Sequence, residues 1–266
     1  KKKKKKFLES KKHNLGSYGF EPNFIPDIAF DFQREIINRA VKKGRIAIFA
    51  DTGLGKTLIQ LSIAQNIVNH TNKKVLILTP LAVAFQFIQE AHKIGIDDIE
   101  YSKDGKHTKK IVICNYERLH LLDSNDFTGM ILDESSILKN FKGKIKSQIT
   151  SFIKKINYRF LSTATPSPND FIELGTSSEA LGYMGYMDML TKFFKNNLNS
   201  TDSRNTNVGM KFYLKPHAEN DFFSWVNQWA IMIKKPSDLG FSDDKYALPE
   251  LIINNHEVKK SIFNST

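Results

Sequence analysis

The sequence predicts an α/β domain with a mostly parallel sheet and helices on both faces. Two observations predict it. Short runs rich in β-branched residues alternate with longer stretches whose apolar residues recur at spacings of three and four. A glycine-rich stretch, TGLGKT, sits at the junction of one such run with one such stretch. Taken in order, a helix is expected over 31 to 42, feeding the strand RIAIFA at 45 to 50. A helix over 56 to 69 leads to the strand KVLILT at 74 to 79, and a helix over 81 to 94 precedes the strand KIVICN at 110 to 115. The strand GMILDE at 129 to 134, a helix over 141 to 155 and the strand YRFLSTA at 158 to 164 complete the series. Beyond about residue 175 the texture changes to the aromatic and methionine-rich LGYMGYMDMLTKFF, a polar turn-rich stretch KNNLNSTDSRNTNVGM, and FFSWVNQWAIMIKKPSDLG.

These shifts divide the chain into a basic N-terminal segment (1–24), an α/β lobe (25–178), an aromatic-rich helical protrusion (179–235) and a connector (236–266). The aromatic residues Tyr183, Tyr186, Phe193, Phe194, Phe222, Phe223, Trp225 and Trp229 either pack that helical segment or offer stacking platforms for single-stranded bases.

Composition narrows the function classes. A chain of 266 residues with 41% hydrophobic and 25% charged residues is typical of a globular domain. No apolar stretch approaches the roughly 18 to 20 residues that span a bilayer. The start KKKKKKFLESKKHN lacks the apolar segment and small-residue cleavage site of a secretory signal, so a cytoplasmic protein is expected. The single cysteine, Cys114, lies within KIVICNY and is expected to be a core residue. Net charge is +11, but Lys1 to Lys6 account for six of it and leave +5 for the remainder. The lysine run is a solvated end or an arm for nucleic-acid phosphates.

The stretch TGLGKT has what a phosphate cradle needs. A strand fixes its base, glycines let backbone amides close on phosphate oxygens, and a helix adds the positive end of its dipole. Thr52, Gly53 and Gly55 form the loop, Lys56 reaches the outer phosphates, and the Thr57 hydroxyl helps hold magnesium. The usual pattern GxxxxGK[ST] fails at one position, where Ala50 replaces the first glycine. A second requirement is a carboxylate at the end of another strand, and GMILDESS supplies Asp133 to hold the metal and Glu134 to act as general base toward water.

With ADTGLGKT, LDESS and LSTATPSPND in this order, the chain resembles superfamily 2 helicases, most closely the Snf-type DNA translocases and the compact helicases of phages and prophages. GFEP, FDFQREI, LTPLAVAFQF, NYERL and KKPSDLGF extend the resemblance over nearly the whole chain. It implies a RecA-like P-loop NTPase lobe that uses ATP and Mg2+ in a bacterial or phage-infected host cytosol. Its partners would be the double-stranded DNA backbone and a second RecA-like lobe, without a membrane.

By the same resemblance Gln33, with Phe32 beside it, reads the adenine edge, because an amide can donate and accept there. Thr163 and Thr165 couple the ATP site to the DNA surface. Thr79 and Pro80 meet the nucleic-acid backbone, and Lys139, Lys142 and Lys144 either contact phosphates or form a solvated face. Two departures stand out. Ser136 occupies a position where many relatives carry histidine, and no second phosphate-site helix or arginine motif follows, so the chain is expected to be one lobe that binds ATP but turns it over slowly. The alternatives are another P-loop enzyme, or a DNA-binding module that keeps the fold without catalysis.

Overall fold

The computed structural model describes residues 17–136, 144–165, 171–196 and 212–244. Seven strands form one sheet: β1 (Arg45–Ala50), β2 (Lys74–Leu78), β3 (Ile99–Tyr101), β4 (Ile111–Cys114), β5 (Phe127–Leu132), β6 (Tyr158–Thr163) and, far along the chain, β9 (Ala230–Ile233). Their order is β3-β4-β2-β5-β6-β1-β9, and every pairing is parallel. A short separate hairpin pairs β7 (Phe194–Asn196) with β8 (Phe212–Leu214) antiparallel.

Strand alternation sends side chains to two cores, one on each face. Ile46, Ile48, Ala50, Val75, Ile77, Ile111 and Ile113 meet α1 (Asp31–Lys43), α2 (Lys56–Thr71) and α3 (Leu81–Lys93) on one side. Ala47, Phe49, Leu76, Leu78, Val112 and Cys114 meet α4 (Lys144–Ile153), α5 (Leu174–Leu181), α6 (Tyr186–Phe193) and α7 (Glu219–Asn227) on the other. The β-branched strands read as near-continuous apolar runs because both faces are covered. Cys114 is buried as expected, and burial pushes its thiol up to about 11.

Helix ends follow their sequence signals. Asp31 lies in the first turn of α1 and Lys42 and Lys43 in the last, where each complements the helix dipole. Gly44 then closes α1 in the left-handed region at φ 71°. The end of α4 is held differently. The buried Arg159 guanidinium donates to the carbonyls of Lys154, Ile156 and Ala180, satisfying acceptors that the ends of α4 and α5 leave open.

Two of the expected boundaries change. Residues 17–24, expected within a basic N-terminal segment, dock on the lobe. Tyr18 and Phe20 donate to the carbonyls of Lys43 and Val41, Phe20 stacks on His70 at 3.9 Å, and Asn66 on α2 bonds the backbone of Asn23 and Phe24. The segment 179–235, expected to be a helical protrusion, contains α6 and α7 but also re-enters the main sheet as β9. Pairing with β1 makes Ala230–Ile233 a strand. Ile231 and Ile233 fill the α1 side, while Ala230 packs on the opposite side with Trp229.

The aromatic side chains of this region are largely internal. Phe193, Phe222, Trp225 and Trp229 form a chain of tilted and edge-on ring contacts at 5.2 to 5.8 Å within the core. That resolves the choice for those four in favour of packing.

Candidate active site

The C-terminal ends of β5, β6 and β1 lie side by side, and in open α/β sheets ligands bind outside such carboxyl ends. The loop after β1 carries Gly53 and Gly55 at φ 82° and 74°, a left-handed conformation that glycine alone adopts without strain. Ala50, the departure from the usual glycine, is still inside β1 and pairs with Ile233, so no positive φ is required of it. The Lys56 ammonium donates to the carbonyls of Ala50 at 3.0 Å and Asp51 at 3.2 Å, which folds the side chain back over the loop. Thr52 is exposed, and its amide is held by the Asp51 carboxylate.

Gln33 sits directly behind this loop. Its side-chain oxygen accepts from the Phe30 amide at 2.9 Å and its NH2 donates to the Leu54 carbonyl at 3.1 Å, so α1 is tied to the cradle. A Cβ on Gly55 would lie 2.3 Å from the Gln33 nitrogen, a second reason for glycine there. The start of α1 also lines a cavity of about 330 Å³, formed by Phe30, Phe32, Pro236, Phe241 and Asp244 among others.

Asp133 follows β5 and is buried, with both carboxylate oxygens engaged. Gln60 donates to Oδ1 at 2.7 Å and Thr79 to Oδ2 at 2.8 Å. Its backbone is held as well: its amide donates to Leu78 at 2.8 Å and its carbonyl accepts from the Tyr116 hydroxyl. Burial first, and then the charges of Asp133 and Glu134, push the Tyr116 phenol well above its ordinary value, so it stays a donor.

A carboxylate offers about four lone-pair sites, so each Asp133 oxygen keeps capacity for a further partner. Magnesium takes one or two protein oxygens and completes its shell with phosphate and water. The donor set of Asp133 and Thr57 fits that cation. Thr57 is partly exposed and lies one helical turn before Gln60 on the same side of α2.

Glu134 occupies the left-handed region at φ 50° and, with the helix cap Asn72, is one of two non-glycine residues there among those described. For a residue that is neither Gly nor Asn this conformation costs free energy and clusters at functional sites. It turns the carboxylate toward β6, where the Thr163 hydroxyl donates to it at 3.1 Å. Thr163 in turn accepts from the Thr165 amide at 3.1 Å, and Ser135 donates its amide to the Ser162 carbonyl at 2.9 Å. The ends of β5 and β6 are thereby linked across the residues expected to couple.

Thr79, expected to meet a nucleic-acid backbone, is fully buried, and its hydroxyl is committed to Asp133, which it positions. Pro80 beside it is partly exposed and starts α3, whose first turns leave Leu81 and Phe85 in solvent. Lys139 and Lys142 lie outside the described residues, as does the side chain of Lys144. Gln60, Tyr116 and Ser162 were missed from sequence. The signal for Gln60 was a polar residue inside the apolar run of α2.

Residues 30–173, more than half of the chain, match the family model for the DEAD/DEAH box helicase. The chain belongs to the DEAD/DEAH box helicase family. This helicase-family chain is 24% identical over 198 residues to the CHD3-type chromatin-remodeling factor CHR7 of Arabidopsis thaliana, across 64% of the chain and 16% of that protein. It is 27% identical over 163 residues to the SWI/SNF-related matrix-associated actin-dependent regulator of chromatin subfamily A-like protein 1 of Xenopus laevis, across 56% of the chain and 17% of that protein. The fold is that of the SWI2/SNF2 ATPase core of Sulfolobus solfataricus, solved in complex with dsDNA, with a TM-score of 0.60 at 18% identity over 81% of this chain and 46% of that one. The Snf-type resemblance of the sequence therefore stands. The chain spans about a sixth of the length of these two curated relatives. No helix among the described residues is long and apolar enough to cross a membrane.

Proposed function

We propose that the chain is the ATP-binding lobe of an ATP-dependent DNA translocase, coupling ATP hydrolysis to movement along duplex DNA. The observation that carries this reading is the hydrogen bond from Thr163 to Glu134, which ties the end of β6 to the expected base. Loop amides at Gly53 and Gly55 and the Lys56 ammonium hold the phosphates, joined by the Thr52 amide once it leaves the Asp51 carboxylate. Lys56 has three N–H donors and shares two with its own loop, leaving one for a phosphate oxygen. Thr57 and Asp133 hold Mg2+, which when bound supplies positive charge across the phosphate oxygens. Glu134 takes the proton of the attacking water.

Gln33 retains one N–H and one lone pair for an adenine edge, and its sequence neighbours Phe30 and Phe32 line a cavity. Thr163 and Thr165 carry a change at Glu134 outward to a DNA backbone held near Pro80, Lys139 and Lys142. A second RecA-like lobe forms the opposite wall and brings the arginine that offsets transition-state charge, a contribution worth about 10³ to 10⁵ in rate. Slow basal turnover by this lobe alone follows.

The test measures single-turnover ATP hydrolysis with and without duplex DNA, for the native chain and for Glu134→Gln. DNA should raise the native rate. The substitution should lower it by about 10² to 10⁴ while ATP affinity holds. Hydrolysis indifferent to both DNA and the substitution overturns the assignment.

A further inference from the structure

Asp133 can hold a cation usefully only if its carboxylate is aimed, and a carboxylate pivots freely unless its oxygens are pinned. Here one pin comes from Thr79 on the neighbouring strand end and the other from Gln60, in the second turn of α2. Gln60 is buried to 1% exposure. Its amide orientation follows from chemistry: the ionised carboxylate only accepts, so the NH2 faces Asp133. The same NH2 donates to the Ser162 hydroxyl on β6 at 3.1 Å. The remaining oxygen of Gln60 is buried with no hydrogen-bond partner among the described residues. An amide left half satisfied in a sealed site carries a desolvation cost that a satisfied group does not, so packing alone does not explain it.

The placement explains it better. Gln60 lies on the helix that begins with Lys56 and Thr57, touches the metal carboxylate on β5, and touches β6 one residue before Thr163, which holds Glu134. We infer that Gln60 is a positioning residue for the magnesium site: it orients Asp133 and ties that carboxylate to the β6 strand end. The inference rests on the reading of Asp133 as the magnesium carboxylate. Groups of this kind around a metal ligand change metal affinity by about 10- to 100-fold when removed.

The experiment titrates Mg2+ into the full chain bound to a fluorescent ATP analogue, reading analogue affinity as a function of Mg2+, for the native chain and for Gln60→Met, which keeps the length of the side chain and removes its donors. Gln60→Met should raise the Mg2+ concentration at half effect by about 10- to 100-fold and leave Mg2+-free analogue affinity unchanged. A folded Gln60→Met with the native Mg2+ midpoint overturns the inference while leaving the Asp133 reading intact. Native affinity that does not respond to Mg2+ overturns the Asp133 reading, and this inference with it. If Gln60→Met does not fold, the side-chain NH2 signal of Gln60 in the ¹⁵N-glutamine-labelled native chain decides. It should shift when Mg2+ is added to the analogue-bound protein, and a signal indifferent to Mg2+ overturns the inference.

Discussion

Gly55 and Gln33 constrain one another at a single point behind the phosphate loop. Replacing Gly55 by alanine forces a Cβ into a left-handed backbone, at about 1 to 2 kcal/mol. It also drives the Gln33 amide off the Leu54 carbonyl, which a hydrogen bond of this type values at about 0.5 to 1.5 kcal/mol. Gly55→Ala should therefore destabilise the chain by the sum, whereas in a Gln33→Ala background only the backbone part remains. Urea unfolding of the four members of this cycle should show a coupling of about 0.5 to 1.5 kcal/mol, and strict additivity would refute the contact. Position at this scale was legible where a residue type and its neighbours define it, as for Lys56 and Thr57 at a helix start and Asp133 just past a strand. It was not legible for Thr79, because whether a strand-end side chain turns inward or outward depends on register with β5. Nor was it for Gln60, whose partners lie far away in sequence.

Elements with their own periodicity were legible in the sequence, and those defined by a partner were not. The strands β1, β2, β4, β5 and β6 carry enough β-branched and aromatic residues to announce themselves, and α2 and α3 repeat apolar residues over several turns. β3 has three residues and β9 four, too few for a pattern, and the latter follows the helical spacing of α7 without a glycine or proline to mark the change. Pairing with β1 makes β9 a strand, and its two faces should then differ in value. Ile231, buried against the α1 side, should cost about 2 to 5 kcal/mol on truncation to alanine. Met232, 39% exposed on the alternate face, should change stability by no more than about 0.5 kcal/mol. Similar losses in urea unfolding would mean that β9 does not alternate as described.

At the scale of the whole molecule, buried acidic protons make a contribution to stability that is lost at alkaline pH. Burial pushes the Cys114 thiol up to about 11, and it raises the phenols of Tyr116 and Tyr183 as well. An unfolded chain releases the thiol proton from about pH 9, while the native chain keeps it. The native state then binds more protons, and stability falls as pH rises from about 9 to about 11. In Cys114→Ala the fall should begin later, where the tyrosines take over. Thermal unfolding across that range checks it, and an unchanged onset would show that the thiol contributes nothing.

The sheet has a further consequence in time. β1, which anchors the phosphate loop, is made before both of its neighbours: Arg45 waits for Arg159, and Ala47 for Ala230. Pairings this distant in sequence fold slowly and leave strand edges bare in the interim. During synthesis the nucleotide cradle is therefore made well before the strands that wall it in.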